Sequence, residues 1–228
     1  MRYEFIYEPI SLIIIRDVFT KKENKDILEE AIKNKKKFAP AIIGDNETKK
    51  TDKSFRNNVA SFYDNLYHGD RTKSKLLTCI DALFSNDERF RDILRTSQYP
   101  INLFATTNYH ETQVSRYGDG GQHYKYHIDA FSNDERQVTA VYYFHEEPKT
   151  YKGGELLFTR SPIYNGKSMD VNEKPIKVTP ENNMMVIFGS RIPHMVLPTT
   201  SPKAFGKGRF SVNCWIGRRW HFIVKDII

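Results

Sequence analysis

Apolar residues along this chain change their spacing near residue 100. Before that point the texture is helical after one apolar run. Residues 10–19 (ISLIIIRDVF) predict a buried strand, and Thr20 stands where an N-cap would open a helix through Asp26, Leu28 and Ile32. A second helix is expected from about Thr72 to Leu94, because Leu76, Leu77, Ile80, Leu83 and Phe84 recur at spacings that form one apolar face. Between the two helices, residues 44–58 (GDNETKKTDKSFRNN) are polar and rich in turn formers, which predicts a surface loop. Phe62, Tyr63 and Tyr67 read as core or buttress residues.

From Asn102 onward the pattern becomes short runs rich in Val, Ile, Thr, Phe and Tyr, divided by turn signals. They are NLFATTNYHETQVSRY, QVTAVYYFH, GELLFT, IKVTP, MMVIFG and RFSVNCWIG. Helices followed by strands predict a mainly β (α+β) fold, with an antiparallel double sheet of jelly-roll type buttressed by the N-terminal helices. No repeat or Pro/Gly/Ser-rich linker interrupts the chain, so residues 1–228 are expected to form a single domain. Its strand and helical buttress would occupy 1–100 and its β core 101–220. Residues 161–175 make a long connection between strands, and with 44–58 they are the candidate lids and places for substrate contacts.

Composition narrows the class further. With 228 residues, 39% of them hydrophobic, the chain can bury a sizeable core without staples. The 35 Lys and Arg exceed the 28 Asp and Glu by seven, but the excess is diffuse. Its one dense run, Lys33 with Lys35, Lys36 and Lys37, closes a predicted helix, where cations suit the dipole, so no nucleic-acid partner is expected. Cys79 and Cys214 lie far apart with no Cys/His finger spacing, which leaves no disulfide scaffold or structural zinc module and favours a reducing compartment. The apolar run Leu12–Ile15 is too short for a signal-peptide core or a membrane span, so the expectation is a soluble, cytoplasmic protein. Phosphate loops and the Gly-x-Ser-x-Gly nucleophile elbow do not occur.

The chemistry concentrates in GQHYKYHIDAF. On a strand, His127 and Asp129 share a face at about 6.6 Å between α-carbons, within reach of one metal ion. They make two-thirds of a two-histidine, one-carboxylate facial triad, whose third ligand must come from another strand. His123 and His127 have the i, i+4 spacing of a helical zinc pair, but Gly118, Gly120 and Gly121 oppose a helix, and on a strand the two lie about 13 Å apart. Downstream, His194 follows Pro193 after a turn. On the strand RFSVNCWIG, Arg209, Ser211, Asn213 and Trp215 fall on one face, and a buried guanidinium there needs an anionic partner. His68, His110, His145 and His221 have no ligand-spaced partner and read as surface or satisfied interior positions.

Five segments in order, RYGDGGQHYKYHID, RQVTAVYYF, YKGGELLF, FGSRIPHMVLP and GRFSVNCW, resemble the catalytic core of the iron- and 2-oxoglutarate-dependent dioxygenases, in the prolyl hydroxylase-like branch. The resemblance implies a double-stranded β-helix, with Fe(II), 2-oxoglutarate and O2 as reactants and ascorbate as an accessory. It makes His127, Asp129 and His194 the iron ligands and catalytic centre. Arg209 would be the holder of the far 2-oxoglutarate carboxylate, Tyr117 and Tyr143 its hydrogen-bonding tyrosines, and Arg136 and Trp215 substrate contacts; Ser211 matches an Arg-x-Ser variant. The implied reaction is hydroxylation of an unactivated C–H bond, on a prolyl residue of a peptide or protein, with succinate and CO2 as coproducts. Rival readings keep the chemistry but act on a small molecule such as an amino acid, sugar or lipid headgroup, demethylate nucleic acid, or lack catalysis as a cupin-like binding module. Against the demethylase reading, position 215 is Trp where that branch has a second Arg.

Overall fold

The computed structural model describes residues 1–44, 49–130 and 135–218; His221 lies outside them. The N-terminal part contains β1 (Arg2–Ile6), β2 (Leu12–Arg16), α1 (Lys21–Lys33), β3 (Ala39–Pro40), β4 (Arg56–Asn57), β5 (Val59–Phe62) and α2 (Tyr63–Leu66). Then come α3 (Lys75–Asn86), α4 (Glu88–Arg95), β6 (Tyr109–Tyr117), β7 (Gln122–His127), β8 (Arg136–Phe144), β9 (Lys152–Gly153) and β10 (Leu156–Phe158). The last strands are β11 (Ile163–Tyr164), β12 (Lys167–Ser168), β13 (Ile176–Val178), β14 (Met184–Gly189), β15 (His194–Thr200) and β16 (Arg209–Gly217).

Two sheets face each other as a jelly roll. The larger runs β1-β2-β14-β8-β16-β6-β5-β3, and the smaller runs β13-β10-β15-β7-β4 with β9 against β15. Strict two-residue alternation sorts the larger sheet between two cores. Val138, Ala140, Tyr142 and Phe144 of β8, with Phe210, Val212, Cys214 and Ile216 of β16, pack on Ile27, Leu76, Ile80 and Phe90 of the helices. The intervening residues Val141 and Tyr143 turn the other way, toward Leu156, Phe158 and Val196 of the smaller sheet. That inner face is where Arg209, Ser211, Asn213 and Trp215 emerge.

Helix α1 starts as Thr20 predicts: its hydroxyl accepts from the Glu23 amide at 3.2 Å, while Glu23 accepts from the Thr20 amide at 2.8 Å, a reciprocal capping box. The expected single helix over 72–94 is two. Asp87 caps α4 by accepting from the Phe90 amide at 3.1 Å, and this new start ends α3 at Asn86. Residues Ile101–Thr106 form a 3-10 turn rather than the expected strand, with Ile101 and Phe104 packed into the helical core. Tyr63 is buried and Tyr67 packs on the same core, but Phe62 is 41% exposed and leans on Trp215 instead of serving as a buttress.

Candidate functional site

Strand pairing assembles the histidine–carboxylate cluster. His194 opens β15 directly opposite His127, the last residue of β7, and Asp129 follows two residues later. The Asp129 and Ala130 amides both donate to the Ser190 carbonyl, at 2.9 and 3.2 Å, which fixes the turn that carries the carboxylate. His127 Nε2 lies 3.7 Å from Asp129 Oδ1, and His194 Nε2 lies 3.5 Å from Asp129 Oδ2. One ligand atom from each residue falls within 4.8 Å of the others.

The donor set fits a divalent metal. His127 Nδ1 donates to the Lys125 carbonyl at 2.8 Å and His194 Nδ1 to the Ile192 carbonyl at 2.9 Å, so both Nε2 lone pairs are left facing the carboxylate. Burial, and after it the neighbouring His194, holds the His127 imidazolium well below the ordinary histidine range, so the ring is neutral at physiological pH. Asp129 Oδ2 accepts from Thr139 Oγ1 at 2.9 Å, and Thr139 in turn contacts Ser190 Oγ at 3.0 Å. Thr139 and Ser190, both fully buried, were not singled out from sequence; a threonine in a strand has no spacing that marks it.

Arg209 is only 1% exposed and among the described residues has no carboxylate partner. Its Nε donates to the Gly154 carbonyl at 2.8 Å and Nη1 to Ser211 Oγ at 3.3 Å, with the Tyr117 and Tyr143 rings 4.8 and 4.9 Å from the guanidinium carbon. Gly154 has φ 73°, and a Cβ there would stand 2.5 Å from Arg209 Cδ, so only glycine allows this approach. Beside the charge, Tyr143 Oη and Thr199 Oγ1 are buried without a hydrogen-bond partner. An uncompensated buried cation with orphaned hydroxyls fits one end of a dicarboxylate. Burial pushes the Tyr143 phenol up to about 12, despite the opposing pull of Arg209, which keeps it a neutral donor.

The triad, Arg209 and Tyr117 line one cavity of about 900 Å³, together with Arg136 and Trp215. Arg136 stacks over Trp215 at 4.3 Å, donates to Glu111 Oε2 at 2.8 Å and to the Asp129 carbonyl at 3.0 Å. Arg136 therefore braces the carboxylate-bearing turn as well as facing the cavity. Residues 39–44 and Arg56 also line it, although the polar stretch from residue 44 on predicts a surface loop. Arg56 is 6% exposed on β4, which pairs with β7, and its polar, turn-rich sequence context gives no signal of burial. Residues 161–175, expected to offer substrate contacts, form the β11–β12 hairpin and do not line this cavity. His123, His110 and His145 are engaged locally, the first with the Gly121 carbonyl, the second with Asp81 and the third through Nδ1 with the Glu146 carbonyl.

Residues 112–217 match the family model of the 2OG-Fe(II) oxygenase superfamily. The chain is 30% identical over 221 residues to an uncharacterized PKHD-type hydroxylase of Synechocystis, an alignment that covers 95% of this chain and 66% of the relative. Among solved structures it resembles a Pseudomonas putida prolyl-4-hydroxylase at TM-score 0.61 and 19% identity, covering 92% of this chain and 94% of the other. It also resembles a Trichoplax adhaerens prolyl hydroxylase, solved with a hypoxia inducible factor peptide fragment, at TM-score 0.63 and 17% identity, covering 90% and 83%. The two structures establish the shared fold. The chain belongs to the 2OG-Fe(II) oxygenase superfamily. It spans about two thirds of the length of its curated relative.

Proposed function

We propose that this protein is a dioxygenase that uses Fe(II) and 2-oxoglutarate to hydroxylate a prolyl or similar C–H bond in a peptide or protein, releasing succinate and CO2. The carrying observation is the buried Arg209, without an acid partner among the described residues, in the same cavity as the His127–Asp129–His194 cluster. His127, Asp129 and His194 would hold the iron, and residues 1–228 would act as one catalytic domain. Iron so bound supplies oxygen activation coupled to oxidation of the 2-oxoacid.

The rest is the work of the chain's own side chains. Arg209 grips the far carboxylate by charge-assisted hydrogen bonds, and Tyr143 Oη and Thr199 Oγ1 supply the neutral donors that now lack partners. Tyr117, held neutral by burial against the pull of Arg56 and Arg209, closes the cavity wall between the two arginines. Arg136, Trp215 and Phe62 offer a flat cationic and aromatic surface beside the Asp129 turn, where a proline ring can lie. The fold shared with a prolyl hydroxylase solved with a peptide fragment favours a polypeptide over a metabolite.

The test is succinate formation from 2-oxoglutarate, with Fe(II) and O2, in the presence of proline-containing peptides or of free amino acids, sugars and lipid headgroups. Stimulation by a peptide is expected, and His127→Ala or Asp129→Ala should reduce turnover to background. Unchanged turnover in either variant contradicts the assignment.

A further inference from the structure

The cavity holds a second buried guanidinium whose charge no carboxylate among the described residues answers. Arg56 Nε donates to Asn58 Oδ1 at 3.0 Å, Nη1 to the Ile42 carbonyl at 3.2 Å, and Nη2 to Gln113 Oε1 at 2.8 Å and Ser115 Oγ at 3.5 Å. Its guanidinium carbon sits 4.5 Å from the Tyr124 ring, which also stacks on the His127 imidazole at 3.5 Å. Every acceptor is neutral, and among the described residues no carboxylate lies within ion-pair distance.

These bonds occupy four of the five N–H groups of Arg56, leaving one Nη1 hydrogen free to donate and the charge unanswered among the described residues. A neutral amide could tie the Ile42 segment to the sheet without the cost of burying a cation, so anchoring alone does not account for an arginine here. The construction also repeats that of Arg209: a guanidinium nearly out of solvent, neutral acceptors only, and tyrosine faces around it. Both guanidiniums line the same cavity, together with Tyr117.

The other charges lining the cavity have partners. Arg136 is engaged by Glu111, and Asp64 by Arg71. On the proposed function, Asp129 faces the metal and Arg209 the cosubstrate. Arg56 is then the remaining buried charge, and the exposed Lys37 and Lys49 at the lip of the same cavity add to its sign.

We propose that Arg56 forms a carboxylate-recognising subsite, and that the substrate presents an acidic group beside the carbon that is hydroxylated, an acidic side chain flanking the target in a polypeptide. This rests on the proposed function and narrows its substrate class. Arg56 lines the same cavity as the 39–44 segment, Arg136 and Trp215, so an occupant would meet the buried cation and the aromatic face within one space.

The probes are blocked proline peptides that differ only by Glu or Gln at one position on either side of the proline, together with N-acetylproline and N-acetylprolinamide. Binding to the Fe(II)- and 2-oxoglutarate-loaded protein is measured by calorimetry without oxygen. The charged member of a pair should bind roughly tenfold or more tightly, as a buried charge-assisted hydrogen bond implies. Arg56→Gln should collapse that ratio to near unity, and Arg56→Lys, which keeps the charge and is the less disruptive change, should retain part of it. A preference in the peptide pairs supports a polypeptide substrate, and one confined to the N-acetyl pair supports the same subsite for a small acid. Equal binding of both members by the wild-type protein overturns the inference, as does a ratio that survives Arg56→Gln, or binding of an oligonucleotide in preference to the acidic peptide. A wild-type protein that fails to bind 2-oxoglutarate contradicts the dioxygenase reading. One that binds it but does not tell Glu from Gln contradicts only the role of Arg56.

Discussion

Asp129 shows how much of a metal centre depends on groups that never touch the metal. Its carboxylate is held by the Thr139 hydroxyl, its amide by the Ser190 carbonyl and its own carbonyl by Arg136. Thr139→Val removes the hydroxyl's contacts with Asp129 and Ser190 with little change in shape, so metal affinity should fall about 10–100-fold while the fold persists, which chelator competition would measure. Arg209→Ala should cost about 2–5 kcal/mol of 2-oxoglutarate binding, read as a raised KM with the metal still bound. His127, Asp129, His194 and Arg209 were legible because strand periodicity and the order of segments place them. Arg56 and Thr139 were not, because their significance arises from cross-strand neighbours distant in sequence.

At the scale of elements, local signals decided the outcome where they were strong. The Thr20–Glu23 pair marks the start of α1 by itself, and Thr20→Ala should lower stability by about 1 kcal/mol in urea denaturation and leave metal affinity unaltered. The 72–94 segment misled because its apolar stripe continues through the break. Phe90, Ile93 and Leu94 keep facing the core after Asp87 has capped a new helix, so periodicity alone sees one element. The composition of NLFAT predicts a strand, but Ile101 and Phe104 reach the helical core from a 3-10 turn, a tertiary demand that outweighs β propensity. The alternation in β8 and β16 was legible throughout, since each strand has one face on the helices and one on the cavity.

For the whole molecule, the helices and the larger sheet are also joined through charge. Arg71 of the segment before α3 bonds Asp81 and Asp64, and His110 of β6 lies 3.0 Å from Asp81. Burial raises the Asp81 carboxyl, but the hydrogen bonds from His110 and Arg71 outweigh it and bring the group from 3.8 to about 2. Its contribution to stability is therefore complete above 3.8 and is lost as the pH falls through about 2. Asp81→Asn should flatten the acid limb of a stability–pH curve over that window and lower stability at neutral pH, followed by thermal unfolding. Among the described residues no helix is long and apolar enough to cross a membrane. The β-helix and its buttress position the cavity, and four side chains within it carry the central claim. Anomalous diffraction at the iron edge, from crystals grown without oxygen in Fe(II) and 2-oxoglutarate, tests that claim most directly. The account predicts a single iron peak bonded to His127, Asp129 and His194, with the far carboxylate of the 2-oxoacid on Arg209. An iron peak elsewhere, or a ligand that leaves Arg209 untouched, would contradict it.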